Sequence, residues 1–395
     1  MKLKYLIKQI SFLPQHLLGS FLYVFTYLYP KNKNLWIYGA WFGEKFSDNS
    51  MHFFKFMLLE HREIKSVWIT KSKVIYDRLK KDGFPVEKAN SVKGISIQLK
   101  AGVSVLTSGK YDVSQNFLTG RTKIIQLWHG IPLKKIGFDT YLGKINDNLV
   151  RYLFFLPVLK SLLKFDLLIA TSEFIKPRFK AAFRLPDKKV PVTGYPRNDI
   201  LFSNSSQSGS NDEVKTILYA PTLRNEGIDG SAADKLSIEE LSKVNEFLAG
   251  INVKLYIKLH FSEENLLKDI SLSNVVLLKS DPFFDIQEFL CRTDILITDY
   301  SSVYFDYLLL DRPIVFFAYD LENYISNDRG FYDKYEDVTP GDVVRSWDGV
   351  IDSITKYFAE PGRYQEERKK LREKYWEHFD GKSSERVYNE IMKIL

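Results

Sequence analysis

The chain has 395 residues, 45% of them hydrophobic and 15% aromatic, with a formal net charge of +7. That length exceeds one ordinary core, so two domains are expected, and the basic balance suits a phosphorylated substrate, an anionic membrane surface or nucleic acid. Its single cysteine, Cys291, excludes an intrachain disulfide, and no Cys/His cluster has zinc-site spacing.

Residues 10–30 contain no Asp, Glu, Lys or Arg and follow Lys2, Lys4 and Lys8. Gln9, Pro14, Gln15 and His16 interrupt the apolar run, leaving Leu17 to Tyr29, which is short of the roughly 20 residues of a membrane span. No small-residue cleavage site precedes Pro30, as a signal peptide would require. The Leu, Phe and Tyr of the remainder favour a bilayer interface, and the lysines favour anionic lipid. Segment 1–29 is therefore expected to lie on a membrane as an amphipathic or hairpin segment. A helix packed on the protein's own core and a true span are the alternatives.

Strand and helix patterns then alternate. Strands are expected at 35–39, 66–70, 103–107, 123–127 and 167–171, with a loop at 41–50 and helices at 51–60, 74–81 and 172–183. The polar run SNSSQSGSND at 203–212 has the composition of a linker. After it the alternation resumes, with strands at 216–219, 253–259, 275–278, 295–297 and 314–317 and helices at 238–248 and 286–291. Strand alternating with helix predicts parallel sheets covered on both faces. The expected architecture is two doubly wound domains, 30–202 and 213–375, facing across a cleft at the carboxyl ends of their strands. A charged helical tail follows, and its segment 376–395 is expected to return to the N-terminal domain.

Several motifs fall at these strand ends. Asp294-Ile-Leu-Ile-Thr-Asp-Tyr-Ser-Ser-Val-Tyr-Phe-Asp306 ends an apolar strand in hydroxyls that open a helix. Free N–H groups and serine donors there make an anion site, while an ordinary capped helix is the structural alternative. His129 stands at a strand end before Gly130, with Lys134 and Lys135 nearby. Such a histidine suits a general base or a purely structural role. Lys258 and His260 alternate onto one side of a second strand end, either as diphosphate ligands or as a sheet-edge pair. Thr222 offers a hydroxyl, and Arg224, Arg197 and Arg329 offer phosphate-binding forks on loops of the same cleft. No P-loop, dinucleotide glycine fingerprint, nucleophile elbow or nucleic-acid signature is present. No Asp-x-Asp pair suited to a metal–nucleotide complex is present either.

Taken in order, these segments resemble the CDP-glycerol glycerophosphotransferase family of teichoic acid and capsule polymerases and primases. The resemblance rests on Phe46-Ser-Asp-Asn-Ser50, Gln126-Leu-Trp-His-Gly-Ile-Pro-Leu-Lys134, Thr193-Gly-Tyr-Pro-Arg-Asn-Asp199 and Leu218-Tyr-Ala-Pro-Thr-Leu-Arg224. It continues through Lys258-Leu-His260, Asp285-Ile-Gln-Glu-Phe-Leu290, Thr298-Asp-Tyr-Ser-Ser302 with Asp306, and Arg329-Gly-Phe-Tyr332. It implies a GT-B fold, association with the cytoplasmic face of the cell membrane, and transfer of glycerol phosphate from CDP-glycerol to a hydroxyl with release of CMP. The acceptor it implies is a lipid-linked or polymeric glycan.

By resemblance, His129 is the base and His260 stands near the donor diphosphate. Thr222, Arg224, Ser301 and Ser302 would surround the donor phosphates. Gly130, Lys134, Arg197, Lys258, Asp299, Asp306 and Arg329 complete the expected substrate site, with the Asp285–Glu288 region near the donor. No cofactor is expected beyond the donor substrate, and dependence on a divalent metal stays open, as does self-association. Nucleic acid is not an expected partner. The length matches a primase or a short capsule enzyme better than a large polymerase with an extra N-terminal domain. CDP-ribitol is a rival donor; a nucleotide-sugar glycosyltransferase and a non-catalytic membrane scaffold are the alternatives from other classes.

Overall fold

The computed structural model describes residues 25–113, 120–140, 165–203, 214–222, 236–259, 272–327 and 330–395. The expected membrane segment up to residue 24, nearly all of the linker, and Arg224, His260 and Arg329 lie outside the described residues. Among the described residues no helix is long and apolar enough to cross a membrane.

The N-terminal half runs β1 (Asn32–Tyr38), α1 (Asp48–Glu60), β2 (Lys65–Thr70), α2 (Lys73–Lys81), β3 (Val86–Lys88), α3 (Val92–Lys100), β4 (Ala101–Leu106), β5 (Lys123–Gln126), β6 (Leu167–Leu168) and α4 (Lys176–Phe183). After α5 (Asp199–Ser203) come β7 (Lys215–Tyr219), α6 (Ile238–Gly250), β8 (Val253–Ile257), β9 (Val275–Leu277), α7 (Ile286–Cys291), β10 (Ile295–Thr298) and α8 (Val303–Tyr307). The chain ends with β11 (Ile314–Phe317), α9 (Leu321–Asn327), β12 (Asp342–Val344), α10 (Trp347–Ala359), α11 (Gln365–Tyr375) and α12 (Ser383–Lys393).

The doubly wound expectation holds for both halves. The sheet orders are β3-β2-β1-β4-β5-β6 and β12-β11-β10-β7-β8-β9, and every pairing is parallel. Counted within its own half, each sheet has the order 3-2-1-4-5-6. The order reverses between β1 and β4 in one half and between β7 and β10 in the other. These are the points where a doubly wound sheet opens a ligand crevice.

Period-two burial explains how the C-terminal sheet is held. Leu218, Leu296, Ile314 and Phe316 join the core that runs into the N-terminal half. Their neighbours Ile217, Tyr219, Ile295, Ile297, Val315 and Phe317 pack on the opposite face with Leu241 and Leu248 of α6 and Ile354 of α10. Both faces are covered, so these strands are apolar throughout instead of alternating.

Some elements differ from expectation. The strand expected over 167–171 pairs only at Leu167 and Leu168; Ala170 then bridges to Val192 instead of continuing beside β5. Helix α1 begins three residues before the expected 51, because its first turn is polar, with buried Asp48, Asn49 and Ser50. Strands β3 and β12 have three residues each, too few to display a period. Helix α12 packs on α1, and the Asp199 carboxylate accepts the Ser383 and Ser384 N–H groups at 2.8 and 2.9 Å. An acidic group at that helix start is favoured by the helix dipole.

Candidate active site

A cleft of about 440 Å³ lies between the halves. Trp128 to Lys134 line it from the loop after β5, and Pro221, Thr222, Tyr300, Ser301 and Ser302 line it from the loops after β7 and β10. That volume falls within the range of small-molecule sites.

His129 sits on a forced turn. Strand β5 ends at Gln126, and Trp128 takes a left-handed conformation with φ 59° before Gly130 at φ 146°. A left-handed tryptophan is costly, on the order of 1–2 kcal/mol, so the surrounding contacts must hold it. They include Asn49, whose Nδ2 donates to the carbonyls of Leu127 and Trp128 at 3.2 and 2.9 Å. His129 Nδ1 stands 3.2 Å from the Thr107 carbonyl. A carbonyl only accepts, so Nδ1 carries the proton and Nε2 keeps its lone pair. Burial holds the imidazole below its ordinary pKa, against the opposing pull of Asp48 and of the Thr107 bond. The ring packs against Trp128 and Trp41, with centroids 4.5 and 5.6 Å away. A neutral imidazole with a bare Nε2 is the form a general base requires.

Arg197 ties the two halves together beneath this histidine. Its Nη1 donates to Asp48 Oδ1 at 2.8 Å and to the His129 carbonyl at 3.0 Å, and its Nη2 donates to Asp306 Oδ2 at 2.5 Å. Asn198 Nδ2 and Gln287 Nε2 also donate to Asp306, at 2.8 and 3.1 Å. Burial pushes the Asp306 carboxyl upward, and Arg197 pulls it back. Arg197 and Asp306 thus form a buried bridge: both Nη atoms of Arg197 and both carboxylate oxygens of Asp306 are engaged with each other or their neighbours, and only the Arg197 Nε lacks a partner among the described residues. Gly130 completes the junction: a Cβ there would lie 2.8 Å from Ser302 Oγ and 3.4 Å from Arg197 Nη2.

On the C-terminal side, Asp299 accepts the N–H groups of Thr222 and Tyr300 at 2.8 and 2.5 Å, so it links the loops across the β7/β10 crevice. Among the described residues the Thr222 hydroxyl is buried without a hydrogen-bond partner. Helix α8 spans only Val303–Tyr307, and Ser302 makes no side-chain cap bond. Five residues carry little of the dipole expected of a helix opening at 301–302, which leaves the hydroxyls as the polar groups this turn presents to the cleft. Among the described residues no cluster of three or more His, Cys, Asp or Glu side chains is placed to hold a metal ion.

The family model described as CDP-Glycerol:Poly(glycerophosphate) glycerophosphotransferase matches residues 21–393. The chain belongs to that family. It is 28% identical over 382 residues to a teichoic acid glycerol-phosphate transferase of Staphylococcus aureus, covering 92% of this chain and 94% of the relative. It is 30% identical over 384 residues to a teichoic acid poly(glycerol phosphate) polymerase of Bacillus spizizenii, covering 90% and 91%. Ribitol-phosphate relatives also match, such as the Staphylococcus aureus polymerase TarL at 29% over 68% of this chain and 47% of that protein. In structure the chain resembles the wall teichoic acid polymerase TagF, with a TM-score of 0.75, 23% identity, and 98% and 97% of the two chains covered. The protein is thus a GT-B glycerophosphotransferase.

The remaining expected residues fall outside the cleft lining or at its border. Lys134 lines it and donates to the Tyr324 hydroxyl of α9, whose ring centroid lies 4.9 Å from its Nζ. Lys258 is not among the lining residues; its Nζ donates to the Leu259 carbonyl at 2.9 Å and to Ser280 Oγ at 3.3 Å. Sequence reasoning missed Asp48, Asn49, Thr107 and Asp112, which hold the histidine and its loops. It also missed His52, whose Nε2 lies 2.6 Å from Asp285 Oδ2, pairing α1 with the start of α7. Burial alone would raise the Asp285 carboxyl, but His52, the Gln287 N–H and Lys55 together hold it below the usual range. The one signal was Phe46-Ser-Asp-Asn-Ser50, a motif quoted above without a role for its members.

Proposed function

We propose that the enzyme transfers glycerol phosphate from CDP-glycerol to a hydroxyl of a lipid-linked or polymeric glycan acceptor at the cytoplasmic face of the membrane. The acceptor oxygen attacks the donor's β-phosphorus in line. The new P–O bond forms as the bond to CMP breaks, and the hydroxyl proton passes to His129 Nε2. Thr222, Ser301 and Ser302 bind the donor phosphates from the opposite wall. Arg224, Lys258, His260 and Arg329 are assigned to the charge that accumulates on the leaving group. Phosphoryl transfer of this kind depends mainly on positioning and electrostatics. Metal dependence is part of the test below.

One observation carries this reading: burial favours the neutral imidazole, and its Nδ1–H bond to the Thr107 carbonyl leaves Nε2 as the basic nitrogen at a cleft whose far wall is hydroxyl-rich. The basic N-terminal segment supports the membrane assignment. Glycerol-phosphate relatives match at least 90% of this chain and the ribitol-phosphate relative TarL 68%, which favours glycerol over ribitol.

The test is direct. Purified protein is incubated with CDP-glycerol, CDP-ribitol or a UDP-sugar and candidate acceptors, with and without EDTA, and product mass and released nucleotide are measured. CMP release with an acceptor gain of one or more glycerol phosphate units is expected. UMP or UDP release with sugar transfer overturns the proposal, as does ribitol phosphate transfer to the exclusion of glycerol phosphate.

A further inference from the structure

The β1/β4 crevice carries a second surface that the reaction above leaves unused. After β1 the chain turns through Trp41 and Phe42, both left-handed, at φ 47° and 60°. The turn is locked. The Phe42 N–H donates to Asp112 Oδ1 at 2.7 Å, and the Gly43 carbonyl accepts Thr70 Oγ1 and the Lys71 N–H at 2.7 and 2.9 Å. Trp41 Nε1 donates to Asp48 Oδ2 at 3.2 Å. Yet this rigid turn presents aromatic surface to solvent: Phe42 is 56% exposed, and Tyr111, on the loop after β4, is 44% exposed. Folding does not call for a strained, exposed phenylalanine, and such strain marks functional surfaces.

Cations accompany the rings. Lys45 Nζ lies 5.2 Å from the Trp41 ring centroid, and Lys71 Nζ lies 6.0 Å from that of Tyr111. Lys71 also donates to the Tyr111 carbonyl at 2.6 Å, which fixes that loop. None of these residues lines the 440 Å³ cleft; His129 is the group common to both, packing on Trp41 and lining the cleft.

We propose that Trp41, Phe42 and Tyr111 form an acceptor subsite that takes the phosphate-bearing sugar or alditol end of an anionic glycan. The apolar C–H face of a sugar or alditol packs on the rings, and Lys45 and Lys71 meet the phosphate. The ligand's terminal hydroxyl then reaches the imidazole from the side away from the donor. This deepens the function proposed above and rests on it for the identity of the attacking group.

The test uses the full chain, Phe42→Ala and Tyr111→Ala, with Leu59→Ser, an exposed position at the far end of α1, as a control. A glycerol phosphate oligomer is the probe. CMP release is measured against donor and against oligomer, and the oligomer is also titrated calorimetrically without donor. Loss of one aromatic contact is expected to raise the oligomer KM and Kd about three- to tenfold, with the donor KM unchanged. Leu59→Ser should match the parent in both. If the parent turns over but both ring variants keep its oligomer KM and Kd, the subsite is overturned while the reaction stands. If the parent releases no CMP, the reaction falls, and the titration still decides the subsite: weaker binding in the variants supports it, and equal binding or none by the parent overturns it.

Discussion

The two crevices share one scaffold and differ in what it displays. In the N-terminal half, Asp112 reaches from the loop after β4 to the N–H of Phe42, after β1. In the C-terminal half, Asp299 reaches from the loop after β10 to the N–H of Thr222, after β7. Each carboxylate spans its own switch point, where two strand ends diverge and leave backbone donors unmet. Around the first stand a histidine, exposed aromatics and left-handed Trp41, Phe42, Asp48 and Trp128. Around the second stand hydroxyls, and none of Pro221, Thr222, Tyr300, Ser301 or Ser302 has positive φ. The contrast fits a division of labour. Aiming one imidazole at one atom demands a unique, over-determined backbone, whereas cradling a diphosphate needs only donors within reach.

The largest test of that division is His129→Ala. Turnover should fall by about 10²–10⁴-fold while CDP-glycerol still binds in calorimetry. Near-normal turnover would make the N-terminal crevice no more than a binding surface. Because burial lowers the His129 pKa, protonation removes the base only as pH falls below the ordinary 6.5. The acidic limb of kcat/KM should therefore bend below that value, and a bend above it points to another base.

Arg197→Met comes next. It strands Asp48 and Asp306 in a buried site, so denaturant unfolding should show a loss of about 3–5 kcal/mol. Arg197→Lys should recover only part of this, since one ammonium cannot span both carboxylates. Full recovery would mean the bidentate bridge is dispensable.

The paired variants Asp112→Asn and Asp299→Asn compare the crevices directly. Asp112 accepts the N–H groups of Phe42, Thr107, Ser108 and Gly109, so its loss should cost about 1.5–3 kcal/mol and disturb the His129 loops. Asp299→Asn should cost less and raise the donor KM more than the acceptor KM. The reverse pattern would exchange the roles of the two halves. The smallest effect is expected from Thr222→Val. Its hydroxyl lacks a partner among the described residues, so stability should hold within about 1 kcal/mol while the donor KM rises. An unchanged donor KM removes Thr222 from the donor site.

Much of the fold is legible in the sequence because parallel strands buried on both faces are written as apolar runs. Ile295–Thr298 and Ile314–Phe317 are examples. Strands β3 and β12 escape notice because three residues show no period. The site divides in the same way. His129, Thr222, Ser301 and Ser302 stand beside strand ends, and strand ends are visible. Asp48, Asp112 and His52 are single polar residues whose most distant partners lie 149, 70 and 233 positions away, and no local pattern encodes such distances.

The sequence by itself determined two doubly wound halves, the basic balance of the chain as a whole and the family to which the motifs belong. Each of these rests on local periodicity or on residues contiguous in the chain. Only the tertiary structure decided which groups remain for ligands. Arg197, a candidate for substrate binding by its chemistry, and Asp306, a candidate by the family resemblance, are buried against each other because an ion pair taken out of water must satisfy itself. Trp41 and Phe42, unremarked as residues, come to the mouth of the β1/β4 crevice because the strand order opens there. Burial and strand order are properties of the packed chain.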